Sequence, residues 1–105
     1  MPEKVEEKKI QELQILEQNL QNILLQKQAF EMELRETQAA LRELEKSGDE
    51  VYKIIGQLMI KTEKRQMKEE LEEKKKIIDM RMKSFEKQEQ ILSEKLEEIQ
   101  REVLK

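Results

Sequence analysis

The chain has 105 residues, 43% charged, 36% hydrophobic and 3% aromatic, with a formal net charge of −3; it is long enough for one domain but too polar for a broad globular core. It contains no Cys and no His, which excludes thiol nucleophiles, disulfides, imidazole bases and the usual zinc ligands, so no metal and no cofactor is expected. No apolar run reaches the ~18 residues that span a bilayer, and the start MPEKVEEKK has neither an h-region nor a cleavage site, so the chain is expected to be soluble and intracellular, with no membrane partner.

The first predicted element is a helix over about residues 2–47. Leu13, Leu16, Leu20, Ile23, Lys27, Phe30, Leu34, Thr37, Leu41 and Leu44 alternate steps of three and four, and eight of the ten are apolar. That is a coiled-coil seam sustained over several heptads. Pro2 suits a first helical turn, and Ser47-Gly48 ends the pattern, with Gly48 as a candidate left-handed cap.

The connector VYKIIGQLMIKT, residues 51–62, changes character: apolar, β-branched residues flank Gly56-Gln57. Gly at the first central position fits a two-residue type II′ turn. Such a hairpin pairs Ile55 with Leu58, Ile54 with Met59, Lys53 with Ile60, Tyr52 with Lys61 and Val51 with Thr62. One face then carries Val51, Ile55, Leu58 and Ile60, the other Tyr52, Ile54 and Met59. Both faces are apolar. A lone two-stranded hairpin is marginal in water and has two unpaired edges, so Val51, Tyr52, Ile54, Ile55, Gly56, Leu58, Met59 and Ile60 are read as an oligomerisation element that meets strands of other subunits in a closed sheet.

A second helix is expected over about residues 63–104, with Thr62 as a candidate N-cap. Its seam is Leu71, Lys75, Ile78, Met82, Phe85, Glu89, Leu92, Leu96, Ile99 and Val103, again with eight of ten apolar. The run Lys74-Lys75-Lys76 follows Glu72-Glu73 and reads as a solvated face rather than a phosphate track, so no nucleic-acid partner is expected. Two near-equal helices around a short connector imply an antiparallel pair in which facing residue numbers have a constant sum. A sum of 112 sets Leu41 against Leu71, Leu34 against Ile78, Leu20 against Leu92 and Leu13 against Ile99. Lys27 and Glu89 then fall about one layer apart, close enough to pair across the seam or to snorkel separately to its edge. The competing arrangement is one continuous helix in a parallel dimer. Against it, Leu58 and Leu71 are thirteen residues apart where two heptads need fourteen, and Gly48 and Gly56 would lie inside that continuous helix.

In the 112 register Val103 faces Lys9, so the second helix outruns its apolar partners at the termini. Val5, Ile10, Leu13, Ile99, Val103 and Leu104 are the candidate binding patch; fraying of chain ends is the plain alternative. No catalytic residue is proposed. Tyr52 and the many Glu could in principle do acid–base work, but a two-helix seam lines no deep apolar pocket.

A helix, the hairpin VYKIIGQLMIKT and a second helix carrying EKQEQILSEKLEEIQ together resemble the beta-type, archaeal-like subunits of the prefoldin family over essentially the whole chain. The resemblance implies a mainly α fold: a single prefoldin-like domain over residues 1–105, with an antiparallel two-helix coiled coil whose central β-hairpin joins an intersubunit β-barrel. It further implies a cytoplasmic heterohexamer of two alpha and four beta subunits. The implied activity is ATP-independent capture of unfolded client proteins at the coiled-coil tips, with delivery to a group II chaperonin that Glu94, Glu97, Glu98 and Glu102 could contact. A structural coiled-coil scaffold or adaptor is the alternative, but it gives no reason for a hairpin apolar on both faces.

Overall fold

The computed structural model describes residues 2–104, with side chains described for 6–104. Helix α1 (Pro2–Lys46) leads into strands β1 (Glu50–Ile55) and β2 (Leu58–Glu63), and helix α2 (Lys64–Val103) completes the order. The chain divides into two compact units. Residues 30–81 form one, and residues 1–29 with 82–105 form the other.

In the 30–81 unit the end of α1 and the start of α2 run antiparallel. Lys68 pairs with Glu45 at 3.0 Å and Lys74 with Glu33 at 3.4 Å, so the number on one helix falls as the other rises. Leu44 and Ile78 are the buried apolar residues of this unit, flanked by half-buried Phe30, Leu34, Leu41, Met67 and Leu71. The alternation of three and four brings these side chains onto one stripe of each helix, and burying two such stripes together is what the polar remainder of the sequence permits. Thr37 shares the seam and is only 2% exposed. Its hydroxyl donates to the Glu33 carbonyl at 2.8 Å, one turn back, so a polar group sits in the seam without an unmet hydrogen bond.

Helix α1 ends differently from the sequence expectation. Gly48 does not adopt a left-handed conformation; among the described residues Gly56 alone has positive φ. The last carbonyls are met instead by side chains. The Ser47 hydroxyl donates to Leu44 O at 2.7 Å, and the Lys64 ammonium donates to Glu45 O at 3.3 Å and Ser47 O at 3.1 Å. A cation at a helix C-terminus also complements the helix dipole. Nor is Thr62 an N-cap: it lies within β2 opposite Val51, and α2 opens at Lys64, whose N–H donates to Asp49 O at 2.9 Å. Lys64 therefore starts one helix and caps the other, tying both to the base of the hairpin.

The unit of residues 1–29 and 82–105 is again an antiparallel helix pair, as Lys9 meets Glu102 at 3.1 Å and Lys27 meets Glu89 at 3.2 Å. Ile23 is buried, and Leu13, Leu16, Leu20, Met82, Phe85, Leu92, Leu96, Ile99 and Val103 are half-buried. Lys27 and Glu89 occupy seam positions and bond to each other, each half-buried. Of the two sequence readings, pairing is the one the structure adopts.

Candidate assembly hairpin and terminal patch

Strands β1 and β2 pair antiparallel from Glu50 opposite Glu63 to Ile55 opposite Leu58. Gly56 has φ of +60°, and no non-glycine residue among those described has positive φ. Gln57 is thus on the negative side, which makes the turn type II′ rather than I′, since the latter needs positive φ at both central residues. The turn sets the register, and the register puts Val51, Lys53, Ile55, Leu58, Ile60 and Thr62 on one face and Glu50, Tyr52, Ile54, Met59, Lys61 and Glu63 on the other.

Only the hairpin base is covered. Val51, Lys53 and Thr62 are half-buried, and Lys53 reaches both carboxylate oxygens of Glu70 at 3.3 Å, drawing that face toward the start of α2. Toward the turn every apolar side chain is exposed: Tyr52, Ile54, Ile55, Leu58, Met59 and Ile60, with Ile54 at 73%. Among the described residues the sheet contains only these two strands, so both outer edges present unpaired backbone N–H and C=O groups. Lys61 bridges to Glu50 at 2.9 Å, offsetting the repulsion where Glu50 and Glu63 stand opposite each other at the base. Exposed apolar faces thus lie next to open edges, the kind of patch that marks an interaction surface.

The terminal residues singled out from sequence separate into two kinds. Leu104 is 86% exposed and Ile10 is exposed as well, whereas Leu13, Ile99 and Val103 are half-buried in the seam. The side chain of Val5 lies outside the described residues. Of the carboxylates, Glu102 is engaged by Lys9 at 3.1 Å, and Glu94 accepts a bond from Gln90 at 3.4 Å. Glu97 and Glu98 have exposed side chains. Sequence reasoning missed Lys64 and Lys53, whose roles depend on partners 17 residues away in the chain, a separation at which no local pattern signals a contact.

Comparison with known proteins decides what this architecture is. The family model described as "Prefoldin subunit" matches residues 7–105. This chain belongs to the prefoldin family, as a beta-type, archaeal-like subunit. It is 39% identical over 93 residues to the prefoldin subunit beta of Sulfurisphaera tokodaii, covering 87% of this chain and 74% of that protein. The prefoldin subunit beta of Thermococcus onnurineus is also 39% identical, over 94 residues that cover 88% of this chain and 81% of the relative. The fold agrees with the crystal structure of the prefoldin beta subunit from Thermococcus strain KS-1, with a TM-score of 0.86 at 36% identity over 93% of this chain and 88% of that one. Prefoldin subunits are non-enzymatic chaperone components, and this one carries the family's coiled-coil-like helices and its small antiparallel hairpin. Among the described residues no group of His, Cys, Asp or Glu could hold a metal ion, and no helix is long and apolar enough to cross a membrane.

Proposed function

We propose that this prefoldin subunit is one of four beta-type chains in a cytoplasmic heterohexamer with two alpha-type chains, and that the hexamer holds unfolded proteins without ATP and passes them to a group II chaperonin. The carrying observation is the hairpin, apolar and exposed on both faces and open at both edges. Strand pairing with neighbouring hairpins in an intersubunit β-barrel satisfies the edge groups and buries the inward apolar face in one step. The paired helices then serve as what the assembly displays. Ile10, Leu13, Ile99, Val103 and Leu104, together with Val5, form the client-binding patch, several weak copies of which bind one unfolded chain through multivalency. Glu94, Glu97, Glu98 and Glu102 keep that end solvated and offer carboxylates to a basic surface on the chaperonin. Mixing the chain with an alpha-type subunit and measuring mass by light scattering tests the assembly. A mass short of six chains would sink the proposed stoichiometry. Aggregation of a denatured client, followed by turbidity with and without the complex, tests the holding activity. Unchanged turbidity would reject it.

A further inference from the structure

We propose that Met59 is an oxidation site whose sulfoxide bars the free subunit from assembly; this rests on the reading of the hairpin as the assembly element. Met59 lies in β2 opposite Ile54, on the face it shares with Tyr52, and it is 70% exposed. Among the described residues two other methionines are equally open to solvent, Met32 at 63% and Met80 at 71%, but both sit on helices rather than in the hairpin. Accessibility therefore does not distinguish the three, and position does. Met67 and Met82 are half-buried.

The oxidant is a hydroperoxide such as hydrogen peroxide. The thioether sulfur attacks the terminal peroxide oxygen, an S–O bond forms as the O–O bond breaks, and the sulfur loses two electrons. The proton of the transferred oxygen passes to the departing oxygen, which leaves as water from hydrogen peroxide or as an alcohol from an organic hydroperoxide. The product replaces a flexible apolar side chain with a polar, chiral one, and the change is of the reversible kind that sulfoxide reductases undo. On Met32 or Met80 the new S=O acceptor remains in water. On Met59 it lies in the exposed apolar patch shared with Ile54 and Tyr52, and covering that patch by a neighbouring subunit would strand an unpartnered acceptor. The interval between synthesis and assembly is when the sulfur is exposed, and assembly itself closes access.

The test treats the isolated chain with hydrogen peroxide to partial oxidation, quenches with free methionine, adds an untreated alpha-type subunit, and separates assembled from unassembled material by size. Peptide mass spectrometry then reads the sulfoxide fraction at each methionine. Met59 sulfoxide is expected at least tenfold depleted from the assembled fraction, with Met32 and Met80 sulfoxides distributed evenly. Met59→Leu, compared with its own untreated chain, should lose no further assembly on the same treatment, and complexes formed before peroxide is added should oxidise at Met32 and Met80 but not at Met59. Even distribution of Met59 sulfoxide, while Met59 is protected in preformed complexes, overturns this inference and leaves the hairpin reading standing. Equal oxidation of Met59 in free and assembled material likewise overturns this inference alone, since the hairpin edges can pair with that face left outward, whereas failure of the untreated chain to assemble overturns both.

Discussion

Glu45 and Lys68 face each other at 3.0 Å in the 30–81 unit. The hydrogen bond from the Lys68 ammonium, and then its charge, hold the Glu45 carboxyl below its ordinary value of 4.5, and the same bond and the charge of Glu45 raise Lys68 above 10.5. A carboxylate with a lowered folded pKa contributes stability that is present above the unfolded value and lost as pH falls through the folded one. The raised lysine contributes below its unfolded value, and that contribution is lost as pH rises through the folded one. The pair is therefore fully effective at neutral pH and fades at both extremes. Both groups are well exposed, so the contribution is small and weakened by salt. The melting temperature of Glu45→Gln is expected slightly below that of the parent at neutral pH and equal to it in acid below the carboxylate range; a gap that persisted in acid would assign the loss to something other than the ion pair.

Gly56 carries a sharper constraint. A Cβ there would meet nothing within 4 Å, yet the φ of +60° disfavours any side chain. The expected damage from Gly56→Val is therefore backbone strain rather than a clash, on the order of 1–3 kcal/mol confined to the turn. Circular dichroism should retain the helix signal while light scattering with the alpha-type partner shows loss of the complex. An intact complex would remove the hairpin from the assembly mechanism.

At the scale of elements, the seams were legible because a three-four alternation has one geometric meaning: every seam position picked from sequence is buried or half-buried. The hairpin was legible for a different reason. One glycine before Gln57 sets a two-residue turn, and every pair from Ile55–Leu58 to Val51–Thr62 follows by counting. What escaped was the junction, because the end of α1 is closed by Lys64, a residue of the next helix. Gly48 and Thr62 were plausible local caps, and a long-range partner displaced both. The surfaces that other chains or clients would cover were visible only as apolar residues without a seam to occupy. The Lys27–Glu89 pair belongs to this scale as well, since it places two charges in an otherwise apolar stripe of the unit formed by residues 1–29 and 82–105. Removing one partner by Lys27→Leu leaves a half-buried carboxylate and is expected to destabilise by on the order of 1–3 kcal/mol, less than for a fully buried pair. The double variant Lys27→Leu with Glu89→Leu makes the stripe apolar throughout and should melt above either single variant and no lower than the parent. If the double variant melted below both singles, the two residues would not be acting as a pair.

For the whole molecule the question is whether assembly and client binding reside in separate parts of the chain. The hairpin lies in the 30–81 unit, while the terminal patch lies in the unit of residues 1–29 and 82–105. Each unit has its own buried residues, Leu44, Thr37 and Ile78 in the first and Ile23 in the second, so trimming the termini removes none of them. Near the termini the pairing of Lys9 with Glu102 holds the two ends side by side, leaving Ile10 and Leu104 exposed next to the half-buried Ile99 and Val103. Deleting residues 1–10 together with 99–105 removes those four apolar residues and Val5 but keeps Lys27–Glu89 and the seam residues Leu13 to Ile23 and Met82 to Leu96. Leu13 loses its facing layer at Ile99, so some fraying near the new ends is expected. The truncated chain should form a complex with the alpha-type subunit of the mass expected for six chains, yet suppress the aggregation of a denatured client far less than the full-length complex at equal concentration. On the proposed multivalent binding, trimming every copy of the patch should reduce protection far more than Leu104→Ser alone. A truncated complex that protected its client as well as the parent would move the client-binding surface away from the termini, leaving the hairpin's role intact.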